Sequence, residues 1–356
     1  MSPSHRSSVE LQRALLAALR GQRPPDGASA PAVEACLKLY ECGGALHRAW
    51  KEGRGGGLPE PWAGAAARAH HKTLVDNLAA MVQFREVAAL LGEAGVPFIL
   101  LKGAAYLAEL HDDPGSRPLT DIDLLIPEES VPRAARALFA RGFQGDTGVR
   151  FPEYRRFEMW RPGPAPCRFE FHWHLGMPGR MRTRQEELWS AARPVALDGI
   201  PALALSYDTA LLYHVGHMAE HYFGPTLKWA LDLRRMLQRW EVPAVPALSE
   251  AWGLRGAMFL ALSHVDRLFP GDPVLPALET VATQARRRRL SGFLSRDPID
   301  LLDLGEGALR RAAFRLALLD KPADALAFCL HLATRSAAFG WNVAAGRGRA
   351  PWLPAS

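Results

Sequence analysis

The segment Asp121-Ile-Asp-Leu-Leu-Ile126 sets two carboxylates two residues apart in a run that is otherwise apolar. In an extended strand alternate side chains share a face, so Asp121 and Asp123 point the same way while Ile122, Leu124 and Ile126 pack. Carboxylates held so close repel, and the pair is unfavourable unless it binds a metal ion, shares a proton or faces water. Magnesium suits it, because hard divalent cations take oxygen ligands and keep positions open for substrate phosphates; a solvated sheet face is the alternative. A third acid comes from Phe169-Glu-Phe-His-Trp-His-Leu175, where alternation puts Glu170, His172 and His174 on one face and Phe169, Phe171, Trp173 and Leu175 on the other. If the two strands are neighbours, three carboxylates converge, a cluster able to hold two magnesium ions for phosphoryl chemistry. A charge on an exposed face is the competing reading for Glu170, and His172 and His174 read as supporting or packing residues rather than ligands.

Other groups could handle phosphate. Leu100-Leu-Lys-Gly-Ala104 ends an apolar run at Gly103 and opens a helix, whose free backbone N–H groups favour an anion. Lys102 would reach a phosphate as a point charge and Arg117 as a fork, unless both are ordinary solvated cations. In Leu211-Leu-Tyr-His-Val-Gly-His-Met-Ala-Glu-His221, residues His214, His217 and His221 share one helical face. No His-Glu-x-x-His arrangement accompanies them, so a polar face lining a cleft, with imidazoles that donate hydrogen bonds or titrate near neutrality, is preferred to zinc. Lys228 and Asp232 stand one turn apart, the spacing of a surface ion pair.

The elements that must position these groups fall into three stretches. Residues 8–95 carry helical periodicity broken at 21–30 and 53–61. The glycine-rich Glu52–Pro61 segment lacks the Gly-Lys-Ser/Thr ending of a phosphate loop. From Val96 the pattern predicts a buried strand to Leu101, a helix over 104–111, a turn at 112–116, a strand over 121–126, a helix over 132–141, a strand or hairpin arm within 151–160 and a strand over 168–175. Helical periodicity returns from Tyr207 to about Gly340. The reading is an α+β protein: an N-terminal helical region (1–95), a small mixed-sheet core (96–205) and a C-terminal helical domain (206–356). The 356 residues, 48% hydrophobic and 22% charged, exclude a disordered chain. Four cysteines without a CxxC pair exclude a disulfide scaffold or a four-thiolate zinc site, and neither a signal peptide nor a membrane span is expected. A cytoplasmic location with no disulfide-linked partner follows as the default. A net charge of +6 permits a nucleotide or RNA partner without demanding one, and the run Arg286–Arg289 reads as a solvated helix face.

Taken in order, Leu101-Lys-Gly-Ala-Ala105, Ser116-Arg-Pro118, Thr120-Asp-Ile-Asp-Leu-Leu125 and Phe169-Glu-Phe-His-Trp173 resemble the uncharacterised bacterial nucleotidyltransferase family of the DNA polymerase beta-like superfamily. The likeness spans about residues 70–240. It implies metal ligation by Asp121, Asp123 and Glu170, nucleotide-phosphate contact at Gly103, magnesium or manganese as cofactor, and NTP as substrate. The implied reaction moves a nucleoside monophosphate onto a hydroxyl of RNA, protein or a small molecule, with pyrophosphate leaving and Glu170 taking the acceptor proton through or beside the metal. In similar families the helical domain closes the cleft, which makes Lys228 and Asp232 candidate ligand contacts. The chain departs from the superfamily at Ala104, where Gly or Ser is usual, leaving the backbone amide to serve there. That departure supports an inactive nucleotide-binding protein as an alternative, and the Lys-Gly turn, shared with toxin-type enzymes, supports transfer to tRNA as another.

Overall fold

The computed structural model of the chain describes residues 3–53, 57–146, 156–163, 165–176, 181–224, 226–272, 283–305, 307–321, 324, 326, 329 and 330. Four helices come first: α1 (Pro3–Leu19), α2 (Ala30–Tyr40), α3 (Gly43–Lys51) and α4 (Trp62–Glu93). The last is about 48 Å long at 1.5 Å per residue. Asn77, Ala80, Met81, Phe84, Val87, Leu90 and Leu91 recur at three and four residues along it and are buried. The sheet and its helices follow: β1 (Ile99–Leu101), α5 (Lys102–Glu109), β2 (Ile122–Leu125), α6 (Val131–Ala140), β3 (Gln144–Asp146), β4 (Arg156–Trp160), β5 (Arg168–His172), α7 (Gln185–Ser190), β6 (Arg193–Leu197) and β7 (Ile200–Ala204). Helices α8 (Tyr207–Glu220), α9 (Lys228–Arg239), α10 (Val245–Trp252), α11 (Arg255–Leu268), α12 (Gln284–Ser291) and α13 (Ala308–Leu318) complete the described chain.

The expected α+β class is what the chain adopts, with seven strands in the order β3-β4-β5-β2-β1-β7-β6. Strand β2 runs antiparallel to β1 and parallel to β5, which makes the sheet mixed. Ile122, Leu124, Phe157, Phe169 and Phe171 are completely buried on one face, where the rings of Phe157 and Phe171 stack at 4.7 Å. The polar residues of the same strands are thereby confined to the other face.

Several boundaries differ from the sequence reading. Strand β5 stops at His172, so His174 lies in a bend and not on the strand face with Glu170; its Nδ1 contacts the Leu175 carbonyl oxygen at 3.0 Å. The hairpin β6–β7 had no counterpart in the reading, although its two-residue turn is Asp198-Gly199, both with positive φ (50° and 74°), the chemistry that such a turn requires. Of the arm expected within 151–160, β4 accounts for 156–160, and 151–155 lie outside the described residues, as do 331–340 of the expected C-terminal helices. In the arginine run, Arg286 is buried against Asp320 at 3.4 Å rather than solvated. No helix among the described residues is long and apolar enough to cross a membrane.

Two buried polar side chains tie loops to helices. The Asn77 amide donates to the carbonyls of Pro114 (2.6 Å) and Arg117 (2.8 Å) and accepts from the Leu119 N–H (3.0 Å), pinning the loop that leads into β2. His264 on α11 donates from Nε2 to the Ile299 carbonyl (3.2 Å), and burial pushes its pKa down to about 4.

Two outcomes follow. Asn77→Ala removes three hydrogen bonds to loop backbone groups, one of them fully buried, and should cost about 3 kcal/mol in denaturant unfolding, at roughly 1 kcal/mol per bond. Because His264 is neutral in the fold but titrates normally when unfolded, its contribution is full above pH 6.5 and lost as pH falls toward 4. His264→Gln, which cannot titrate, should therefore lose less stability than the native chain between pH 6.5 and 5, by up to about 2 kcal/mol; parallel losses would contradict this assignment.

Candidate functional site

The polar face of the sheet owes its content to register. Asp123 on β2 pairs with Glu170 on β5 and with Leu101 on β1, the residue immediately before Lys102. Paired residues on neighbouring strands share a face, so the two carboxylates stand side by side, with His172 two residues along β5 on the same face. The geometry is tight. His172 Nε2 lies 2.8 Å from Asp123 Oδ1 and 3.4 Å from Glu170 Oε2, and Lys102 donates from Nζ to the same Asp123 oxygen at 2.8 Å. Arg156, across the ladder on β4, donates to Glu170 at 2.6 Å. Asp121 sits just before β2, where the Thr120 hydroxyl donates to it at 3.0 Å.

These contacts set the charges. Burial opposes ionisation of Asp123, but the Lys102 ammonium and the hydrogen bond from His172 outweigh it and hold the carboxyl far below its usual range. Glu170 is also lowered, its burial overcome by the His172 hydrogen bond, and His172 is raised by its two acids despite being buried. Asp121 goes the other way: burial, then the neighbouring Asp123 charge, lift it to about 6. Two acids are thus compensated by protein cations, and the third only in part, by Lys102.

Lys102 opens α5 with φ of +44°, an uncommon backbone for a side chain with a Cβ, at the point where chain direction must change if the ammonium is to reach Asp123. Gly103 follows because a Cβ there would lie 2.6 Å from Arg117 Nη1. Ala104 is buried inside α5.

Asp121, Asp123, Glu170, Lys102, Gly103 and Arg117 line one cavity of about 420 Å³, together with His214, His217, His221, Lys228 and Trp229. The three histidines do face a cleft, as expected. Burial lowers the pKa of all three, most strongly that of His217, where Lys102 adds to the effect. His214 donates to the Trp229 carbonyl at 2.8 Å, while His217 and His221 pack their rings against each other (4.6 Å) and against the Trp229 indole. The result is a neutral aromatic wall facing the acids. Leu39 and Glu41, from the N-terminal helices, close the same cavity.

Lys228 and Asp232 are buried and pair with other partners rather than with each other. Lys228 donates to Glu41 at 2.9 Å; Asp232 receives Arg117 at 2.9 Å and His111 at 3.1 Å, and does not line this cavity. The residues that sequence reasoning missed or undervalued are His172, Arg156, Tyr213 (its ring 5.7 Å from Lys102 Nζ) and Asn77. The alternation of β5 already placed His172 on the acid face, but nothing in the sequence specified that β4 would lie beside it.

A divalent ion suits this donor set. Asp123, Glu170 and His172 offer two carboxylate oxygens and one imidazole nitrogen within 4.8 Å of one another, all buried, with the under-compensated Asp121 lining the same cavity.

Comparison with known proteins adds the following. No curated protein sequence is detectably similar to the chain. Among solved structures, similarity is found to a crystal structure of ANT(2″)-Ia in complex with adenylyl-2″-tobramycin, at 16% identity and a TM-score of 0.36, covering 49% of this chain and 96% of that one. A solution structure of ANT(2″)-Ia, described as revealing substrate-regulated conformation dynamics, gives 17% and 0.35, covering 49% and 91%. An antigenic nucleotidyltransferase-like protein from Paracoccidioides brasiliensis gives 17% and 0.31, covering 64% and 93%. Residues 42–270, which include Asp121, Asp123, Glu170 and the three histidines of the cavity, match the family described as uncharacterised nucleotidyltransferase, and the chain belongs to that family.

Proposed function

We propose that the chain moves a nucleoside monophosphate from an NTP to the hydroxyl of an RNA, protein or small-molecule acceptor, with pyrophosphate leaving. The observation that carries this reading is the β2–β5 register, which sets Asp123 beside Glu170 in a cavity that also holds Asp121, Lys102 and Gly103. When bound, a magnesium or manganese ion supplies charge neutralisation on the phosphates and an easier ionisation of the attacking hydroxyl. Asp121, Asp123 and Glu170 are the acids that would hold it; His172, whose Nε2 hydrogen is directed at two of them, could join only on giving up that proton.

The remaining roles belong to the chain itself. Lys102 and the backbone amides of Gly103 and Ala104, at the start of α5, receive the triphosphate, where ammonium and helix dipole both favour negative charge. Ala104, its side chain packed away, can contribute only its backbone amide. Arg117 and Lys228 border the cavity in ion pairs with Asp232 and Glu41, which fixes their charges at its edge. The rings of Trp229, His217 and His221 suit the flat face of a base. Glu170 is engaged by Arg156 and His172, whereas among the described residues Asp121 receives only the Thr120 hydroxyl; Asp121 is accordingly the better placed acid for the acceptor proton.

The test is transfer of label from each α-labelled NTP, with magnesium or manganese, into the RNA, protein and small-molecule fractions of an extract. The native chain should label one fraction, and Asp123→Asn or Glu170→Gln should reduce labelling at least about 100-fold while far-UV circular dichroism is unchanged. His172→Ala, which removes a partner of both acids, should cost about 10- to 100-fold. Labelling by Asp123→Asn within threefold of native would contradict the assignment.

A further inference from the structure

A second cavity, of about 280 Å³, lies on the far side of the Arg117–Asp232 and Lys228–Glu41 pairs. Glu41, Arg117 and Lys228 line both cavities, so the two share a wall only one layer of side chains thick. The chemistry of the second cavity differs from that of the first. Five basic side chains (Arg20, Arg117, Lys228, Arg234 and Arg235) border it against two acidic ones, Glu41 and Asp232. Asp272 receives Arg234. Arg20, by contrast, donates to main-chain oxygens, those of Leu268 (2.7 Å) and Arg267 (2.9 Å), which orient its guanidinium without cancelling its charge. Arg235 donates to His111 Nδ1 at 2.6 Å, and burial holds that imidazole neutral by lowering its pKa to about 4. Arg117, Lys228, His111 and Ser116 are at least nine-tenths buried and form the pocket floor, while Arg235 is partly buried and Arg20 stands exposed at its rim.

A concave, positively charged pocket with guanidinium forks recognises a phosphate group. Its volume falls just below the roughly 300–1,000 Å³ of pockets for drug-sized ligands, which suits a compact phosphomonoester better than a second nucleotide. We propose that this cavity holds the phosphate group of a small hydroxyl compound and is the acceptor subsite of the reaction. The acceptor's phosphate rests among Arg20 and Arg235 while its hydroxyl crosses the shared wall toward Asp121. In the step itself the hydroxyl oxygen bonds to the α-phosphorus of the NTP, the bond to pyrophosphate breaks, and the hydroxyl proton passes to Asp121. This inference rests on the nucleotidyl-transfer reading, and the two can fail separately.

The first arm of the test is a 31P NMR titration of the full chain with inorganic phosphate, with a non-hydrolysable NTP analogue at saturation to fill the first cavity. Saturable phosphate binding is expected, weakened at least about tenfold in Arg235→Gln and in Arg20→Gln, and retained in Asp123→Asn. Thermal melts of each variant show whether it folds; Arg235→Gln carries the test if Arg20→Gln, which loses ties to α11, does not. Phosphate binding unchanged in the folded arginine variants, or abolished by the analogue, overturns the site. The second arm offers the small-molecule fraction of an extract with α-labelled NTP, before and after phosphatase treatment. Labelling should be lost on treatment; equal labelling of both overturns the acceptor assignment. Labelling of neither, with phosphate binding intact, overturns the acceptor assignment and leaves only an anion site; the transfer reading falls with it only if the RNA and protein fractions are unlabelled as well.

Discussion

Carboxylates side by side on neighbouring strands of a half-buried sheet cannot all be ionised unless positive charge meets them, and the architecture around β2 and β5 answers that demand. Lys102 meets Asp123, Arg156 meets Glu170, and His172 bridges the two acids. Each cation arrives from a different element: Lys102 from the turn into α5, Arg156 from the adjoining antiparallel strand and His172 from the acid strand itself. His172 is itself buried and Lys102 nearly so, whereas Arg156 is partly exposed, so the charge balance around Asp123 is the more deeply enclosed of the two. Asp121 is the exception, raised by burial and by the Asp123 charge with only partial relief from Lys102.

The rest of the molecule secures that arrangement. The apolar face of the same strands is buried, so β2 and β5 cannot slip by one residue without exposing Ile122, Leu124, Phe169 and Phe171 and burying charge in their place. Asn77, on the long helix α4, holds the loop from Pro114 to Leu119 and with it Arg117 and the approach to Asp121. Helix α8 supplies a wall whose imidazoles have their pKa values lowered by burial, and the N-terminal helices close the cavity through Leu39 and Glu41. A second, more basic cavity shares that closure, which places the Lys228–Glu41 and Arg117–Asp232 pairs between two chambers rather than on a surface.

Much of this was legible in the chain because alternation and breakers are local. The apolar run before Gly103, the Asp-x-Asp strand and the face shared by Glu170 and His172 follow from period two, and the helical face of His214, His217 and His221 from period 3.6. What depended on contacts distant in sequence was not legible. The partners of Lys228 and Asp232 lie 187 and 115 residues away, so the one-turn spacing between them suggested a pair that the fold does not make. The length of β5 was overread because Trp173, His174 and Leu175 continue its alternation after the pairing with β2 and β4 has ended at His172. The Asp198-Gly199 turn, by contrast, is a hairpin signal that is local to the sequence.

The account turns on the acid cluster being a metal site that works together with nucleotide. Electron paramagnetic resonance of manganese, titrated into the full chain with a non-hydrolysable NTP analogue, measures this without requiring the acceptor. The prediction is a bound-manganese signal in the native chain that is lost in Asp123→Asn and in Glu170→Gln, with both variants folded. A signal of equal strength in native chain and variants would place the ion elsewhere and contradict the account.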